Sequence, residues 1–266
     1  MDIAILKNSE AVAIAGAGQL KERLLAKPNA VFGLATGRTP LALYQQLVAT
    51  CDKRALSFHE VTTFNLDEYL GVRPEDPQSY RSYMQRELFE HIDIDASRTY
   101  LPECAAGENP LDVGPRYEEQ IRAAGGIDLQ VLGIGRNGHI GFNEPTSSLR
   151  SRTRVKTLTR ETIASNRQYF DAPNAQPQLA ITMGIATIMD AHEILLLATG
   201  TQKAEAVRQS IEGPVSSMWP ASVLQMHERV TVLLDEEAAS LLARQDYYNW
   251  VQDQKRRLMA EIESAE

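Results

Sequence analysis

Ile127-Asp128-Leu129-Gln130-Val131-Leu132-Gly133-Ile134 runs straight into Gly135-Arg136-Asn137-Gly138-His139-Ile140-Gly141-Phe142-Asn143-Glu144-Pro145. The first half is a short, nearly continuous apolar run. That is the pattern of a strand covered on both faces. The second half is a glycine-rich loop carrying an amide, an imidazole and a carboxylate. Four further runs repeat the apolar pattern, over residues 30–35, 61–66, 193–198 and 229–234. Stretches with helical spacing lie between them. Pro40 to Ala49 carries Leu41, Tyr44, Leu47 and Val48; Ser79 to His91 carries Tyr83, Leu88 and Phe89; Lys203 to Ile211 follows the fourth run directly. This alternation predicts an α/β fold, a single doubly wound, mainly parallel sheet flanked by helices in the Rossmann-like manner. There is no long linker, repeat or low-complexity tract, so residues 1–266 read as one domain. The tail beyond Lys255-Arg256-Arg257 reads as a solvated, fraying helix.

The 266 residues carry a net charge of -8, with 43% hydrophobic and 23% charged residues. So acidic a chain is a poor binder of nucleic acid, and any anionic ligand needs locally concentrated positive charge. The two cysteines, Cys51 and Cys104, have neither the spacing nor the histidine company of a zinc cage, and no disulfide framework is expected. No metal and no cofactor are expected. Neither a signal peptide nor an apolar membrane span is apparent, so a cytoplasmic protein without membrane partners is the expectation.

In doubly wound sheets ligands bind beyond the carboxyl ends of the strands. The first run ends in Thr36-Gly37-Arg38-Thr39-Pro40, where exposed amides and two hydroxyls suit a phosphate, though a plain capped turn has the same look. The second ends in Asp67-Glu68. A carboxylate here is placed for general-base work, but neighbours on a strand point opposite ways, so the two acids are expected to differ in role. The third ends in Asn137, His139 and Glu144. Its glycines do not follow the dinucleotide-binding spacing. The fourth ends in Gly200-Thr201-Gln202-Lys203, a lysine at a helix start that the helix dipole disfavours unless an anion is present. Finally, Arg152, Arg154 and Lys156 would share one face of a strand, either a solvated edge or a second anion site.

Taken in order, Thr36-Gly37-x-Thr39-Pro40, Phe64-Asn65-Leu66-Asp67-Glu68-Tyr69, Gly138-His139-Ile140-Gly141-Phe142-Asn143-Glu144-Pro145 and Gly200-x-Gln202-Lys203 resemble the glucosamine-6-phosphate deaminases. Met218-Trp219, Ser222 and His227 extend the likeness. The wider superfamily includes 6-phosphogluconolactonases and galactosamine-6-phosphate isomerases. The resemblance implies a metal-free conversion of glucosamine 6-phosphate into fructose 6-phosphate and ammonia. Asp67 would move a proton between C2 and C1 of the open-chain sugar, and His139, supported by Asn137 and Glu144, would promote ring opening. The turn Thr36, Gly37, Arg38, Thr39 and Lys203 would hold the 6-phosphate. A lactonase needs no C2 base, so Asp67 and the Phe142-to-Pro145 run favour the deaminase. Galactosamine 6-phosphate, differing at one hydroxyl, is an alternative substrate. A sugar-phosphate sensor would be expected to have lost Asp67 or His139.

Two departures stand out. Asn137 occupies a place where many members have Asp. Gln168 replaces the family's phosphate-binding arginine, with Arg167 one place earlier, about 100° away on a helix; Arg167 or Arg38 would have to make up the charge. The resemblance also implies an allosteric site for N-acetylglucosamine 6-phosphate between subunits of a homo-oligomer, a hexamer by family precedent. Its residues would be Ser147, Arg154, Lys156, Thr157, Tyr247 and the N-terminal amine.

Overall fold

The apolar runs become strands because both of their faces are buried. In the computed structural model, which describes residues 1–50, 56–167, 170 and 176–264, the chain opens with strand β1 (Asp2–Leu6) and helix α1 (Ser9–Ala26). Then come β2 (Val31–Leu34), α2 (Arg38–Thr50), β3 (Thr62–Asn65), β4 (Asp67–Tyr69), α3 (Tyr80–Glu87), β5 (Thr99–Tyr100), α4 (Pro110–Ala123) and β6 (Leu129–Gly133). The second half holds β7 (Arg154–Thr157), α5 (Arg160–Asn166), β8 (Leu179–Thr182), α6 (Ile185–Met189), β9 (Glu193–Ala198), α7 (Ala204–Ile211), β10 (Val230–Asp235), α8 (Glu236–Ala239) and α9 (Gln245–Glu263).

Seven strands form one sheet in the order β1-β10-β9-β6-β2-β3-β5. Every pairing in it is parallel. Alternate residues of one strand enter different cores. Leu129 and Val131 pack with Leu20, Leu24, Leu43 and Tyr44 of α1 and α2. Leu132 and Ile134 pack with Tyr117 of α4, Ile185 of α6 and Val207 of α7. Two buried layers on one strand explain why its sequence does not alternate. The expected doubly wound parallel sheet is therefore present.

Beside it stands a small antiparallel sheet, β4-β8-β7, which the apolar runs did not announce. Leu66 is the junction between the two sheets. Its N–H still bonds Leu34 O in the large sheet at 2.9 Å, while its carbonyl accepts from Met183 N at 2.7 Å. Asp67 and Glu68 thus open β4 and are not the tip of β3. The tail is helical, as expected, through Glu263, and α9 is fixed to β1 by Gln252 Nε2, which donates to Asp2 Oδ1 at 2.6 Å and Ile3 O at 2.9 Å. Among the described residues no helix is long and apolar enough to cross a membrane.

Candidate active site

From β1 the chain jumps to β2 in mid-sheet and runs outward through β3 to β5. It then returns to β6, on the other side of β2, and runs outward through β9 and β10. The order reverses between β2 and β6, the kind of switch point at whose carboxyl ends doubly wound sheets bind their ligands. The Thr36–Thr39 turn leaves β2 and the His139 loop leaves β6, so both are delivered to one place. Lys203 arrives from β9, the next strand along.

The β6 loop folds back on itself, with Gly135 N donating to His139 O at 2.8 Å. Gly138 sits at φ +77°, and a Cβ there would come within 2.8 Å of the Trp219 ring. A side chain at this position is therefore excluded twice. The loop holds a relay. Asn137 Nδ2 donates to Glu144 Oε2 at 2.8 Å, and Asn137 Oδ1 lies 2.8 Å from His139 Nδ1. The carboxylate can only accept, so it fixes the amide's orientation. The amide oxygen in turn requires the proton on Nδ1 and leaves the Nε2 lone pair for a ligand. Glu144 Oε2 is 3.4 Å from the same Nδ1. Its other oxygen accepts from the hydroxyls of Thr159, at 3.2 Å, and Thr162. Burial pushes the Glu144 carboxyl up, but hydrogen bonds from His139, Thr162 and Asn137 and the His139 charge together bring it down to about 2.

Asp67 is 6% exposed, and burial, reinforced by Glu68, lifts its carboxyl to about 8. It pairs in register with Thr182 of β8, whose Oγ1 accepts from Phe142 N at 3.1 Å. β8 thereby clips the His139 loop beside Asp67. Gly141, at φ +55°, makes the close approach, since a Cβ there would lie 3.3 Å from Asp67 Oδ2. Glu68 does something else. It accepts from the backbone N–H groups of Tyr69 (2.8 Å), Tyr80 (3.1 Å) and Arg81 (3.0 Å), closing the start of α3. Burial still raises it to about 7 against those three bonds. The expected difference in role has this physical form: Glu68 is consumed by backbone, while no described hydrogen-bond donor is assigned to Asp67.

On the β2 side, Tyr80 OH donates to Tyr69 OH at 3.3 Å, and Tyr83 OH donates to Gly37 O at 3.0 Å. Arg38 is exposed and opens α2. Thr39 Oγ1 lies 3.2 Å from Thr199 Oγ1, which ties the turn to the end of β9. Lys203 ends a 3-10 turn there, and burial, helped by Arg136, lowers its ammonium to about 8. Arg167 is exposed at the end of α5, and Gln168 lies outside the described residues.

The second set of residues is not gathered within one chain. Arg154 and Lys156 share a face of β7. Arg154 Nη1 donates to Asn143 Oδ1 at 2.9 Å, inside the His139 loop. Arg152 does not join that face; it precedes β7 and pairs with Asp190 and Glu118. Thr157 is exposed, and Ser147 is buried with its hydroxyl unpartnered among the described residues. Tyr247 lies on α9, stacked on Trp250, at the β1 edge. β7 instead packs by α4, whose Tyr117 OH bonds Asn65 O of β3, toward the opposite edge of the large sheet.

Sequence reasoning passed over Thr159, Thr162, Thr182, Tyr80 and Arg136. A threonine pair spaced like a helix N-cap, Thr159-x-x-Thr162, was readable as a cap, but nothing local says that it faces Glu144. Ser222 and His227 prove to hold backbone. Ser222 Oγ bonds Ser216 N at 2.8 Å, and His227 Nε2 lies 2.8 Å from Ala191 O. Among the described residues no group of three or more His, Cys, Asp or Glu is placed to hold a metal ion.

Known proteins share this fold and much of this sequence. Residues 7–233 match the family model described as glucosamine-6-phosphate isomerases/6-phosphogluconolactonase. A glucosamine-6-phosphate deaminase of Hahella chejuensis (strain KCTC 2396) is 55% identical over 97% of this chain and 98% of its own. One from Shewanella woodyi (strain ATCC 51908 / MS32) is 53% identical over 98% and 99%. A solved structure described as a monomeric glucosamine-6-phosphate deaminase superposes with a TM-score of 0.87 at 45% identity, covering 91% of this chain and all of that one. A 6-phosphogluconolactonase from Leishmania guyanensis, at 22% identity and a TM-score of 0.70 over 91% of this chain and 98% of that one, shares the fold. The chain belongs to the glucosamine-6-phosphate isomerase/6-phosphogluconolactonase family.

Proposed function

We propose that this chain, acting as one unit over residues 1–266, converts glucosamine 6-phosphate and water into fructose 6-phosphate and ammonia. The observation that carries the reading is Asp67, a buried carboxyl held beside the His139–Asn137–Glu144 relay. A proton must move between adjacent carbons next to a carbonyl. That needs a desolvated base above the plane of the reacting carbons and a proton carrier at the ring oxygen and O1. His139 Nε2 takes the proton of the O1 hydroxyl and returns it to the ring oxygen, opening the sugar. Glu144, through Asn137, holds the imidazole in the required tautomer and stabilises its charged form. Asp67, ionised, removes the C2 proton and delivers it to C1. The amine gives up one proton and O1 takes one, carried by His139, so that a C2 imine and a C1 hydroxyl result; the imine adds water and loses ammonia. The Thr36–Thr39 turn and Lys203 hold the phosphate and so fix C1 and C2 against Asp67. Arg38, already at that turn, supplies the charge missing at Gln168; Arg38→Ser should raise KM more than Arg167→Ala does.

The decisive measurement is ammonia released from glucosamine 6-phosphate, against galactosamine 6-phosphate and 6-phosphogluconolactone run in parallel. Faster turnover of either comparison substrate would replace the reading. For regulation, the Arg154 bond to Asn143 gives an effector phosphate at Arg154 and Lys156 a direct route to the catalytic loop. In a homo-oligomer, a neighbouring subunit would bring its Tyr247 to that face. Sigmoidal kinetics made hyperbolic by N-acetylglucosamine 6-phosphate, and lost in Arg154→Ala, would support this. Hyperbolic kinetics unmoved by the effector would make β7 a solvated edge.

A further inference from the structure

Arg136 has no part in the relay, yet it leaves the same carboxyl end of β6. β6 lies between β2 and β9, so the first residues after β6 emerge between the Thr36–Thr39 turn and Lys203. There Arg136 Nη2 donates to Gln202 Oε1, the residue preceding Lys203. Arg136 is close enough that its charge helps depress the Lys203 ammonium. Neither cation belongs to an ion pair among the described residues. Nine of the other arginines do: Arg23, Arg81, Arg86, Arg116, Arg122, Arg152, Arg208, Arg229 and Arg256 each have a carboxylate. In a chain of net charge -8, two adjacent cations without an acid are an arrangement that an anion would stabilise.

We propose that Arg136 is a phosphate-binding residue, which swings from Gln202 onto the 6-phosphate and closes a clamp against Lys203. The geometry gives the two cations different tasks. Lys203 is half-buried at the base and acts as a point charge. Arg136 is exposed at the rim on a long side chain, and its planar fork can take two phosphate oxygens at once. The clamp adds to Arg38 a second guanidinium, which reaches the phosphate from the β6 side. This inference rests on the sugar-phosphate reading, and its test separates the two.

The test compares wild type, Arg136→Gln, Arg136→Lys and Gln202→Leu by steady-state kinetics with glucosamine 6-phosphate. It adds titration with inorganic phosphate by calorimetry. Losing a charge-assisted bond to phosphate should raise KM about 10- to 100-fold in Arg136→Gln, with a smaller loss in kcat. Inorganic phosphate should bind more weakly by a similar factor, and Arg136→Lys should recover part of both. Gln202→Leu keeps the guanidinium and removes only its resting partner, so its KM should stay near or below wild type. A KM within twofold of wild type in Arg136→Gln overturns the proposal. So does a Gln202→Leu variant that reproduces the whole defect, because Arg136 would then act only by bracing the turn. Should wild type release no ammonia, the functional reading falls by itself; phosphate affinity weakened in Arg136→Gln would still uphold the clamp, and unchanged affinity would overturn it.

Discussion

Asp67 and Glu144 are both carboxyls almost sealed from solvent, at 6% and 2% exposure, yet they end at opposite ends of the carboxylate range, about 8 and about 2. Burial acts upward on both. What separates them is donors. Glu144 has two threonine hydroxyls on one oxygen and an amide N–H with an imidazole near the other. Asp67 has an acid as its sequence neighbour and no described donor. The loop after β6 thus builds a permanently charged anchor, and β4 builds a group poised to exchange a proton near neutral pH. A site that moves a proton needs both kinds, and burial alone does not tell them apart.

The largest effect should come from Asp67→Asn, which keeps the shape and removes the base. Turnover should fall about 10²- to 10⁴-fold. Stability should move the other way. A carboxyl raised from 3.8 to about 8 makes the folded state hold a proton that the unfolded chain releases. Stability is therefore drained progressively as pH rises from about 4 toward 8. Melting of Asp67→Asn should be above wild type at pH 8, with the gap closing toward pH 4. Glu144→Gln should do the reverse. A carboxyl lowered from 4.5 to about 2 contributes roughly 3 kcal/mol above its unfolded pKa, lost as pH falls through the folded value. Glu144→Gln should melt below wild type at pH 7, with the gap narrowing toward pH 2. If both variants shift melting in the same direction at pH 8, the contrast is broken.

The pH profile sharpens the same contrast on the functional side. Only ionised Asp67 can accept the C2 proton, so kcat/KM should climb with pH up to about 8. Above about 8 the Lys203 ammonium discharges, and KM should climb. The result is a bell centred near 8. Phosphate monoesters complete their second ionisation near pH 6, so the substrate itself does not supply the upper part of the acid limb. Activity flat from pH 5.5 to 7.5 would mean that Asp67 is ionised well below its raised value, with a donor supplied by the bound sugar.

How much of this was legible follows from how local each cause is. The strands β6 and β9 could be read because two-sided burial writes itself into consecutive residues such as Val131-Leu132 and Leu195-Leu196-Leu197. β1 was not singled out; it is an edge strand with one fully buried residue, and the tail covers it. Of the small sheet only β7 was legible, from the alternation of Arg154 and Lys156; β4 and β8 lack an apolar run of their own, and their partners are distant in sequence. In the site, His139, Asn137 and Glu144 lie within one loop, and their grouping was readable from spacing. The division between Asp67 and Glu68 was readable as a difference, not as its cause, which is α3 arriving with its amides twelve residues later. Thr159 and Thr162 could be seen as a cap but not as partners of Glu144. That depends on where α5 lands.

Thr162→Val offers the finest cut of the comparison. Valine keeps the volume, and the Thr162 N–H that caps on Thr159 is untouched. The substitution therefore removes one hydroxyl donor from Glu144 Oε1, together with the 3.1 Å bond that the Thr159 hydroxyl gives Thr162, and leaves the Thr159 bond to Glu144 in place. A bond to a charged acceptor contributes about 1.5–3 kcal/mol, so the Glu144 carboxyl should rise from about 2 and melting at pH 7 should drop by less than in Glu144→Gln. Turnover should change little, because Oε2 still orients Asn137 and, through it, His139. The two oxygens of one carboxylate would then divide their work, Oε1 sustaining the charge and Oε2 the tautomer. Turnover falling in Thr162→Val as far as in Glu144→Gln would reject that division and make the strength of the anchor itself, more than the orientation it imposes, what the imidazole requires.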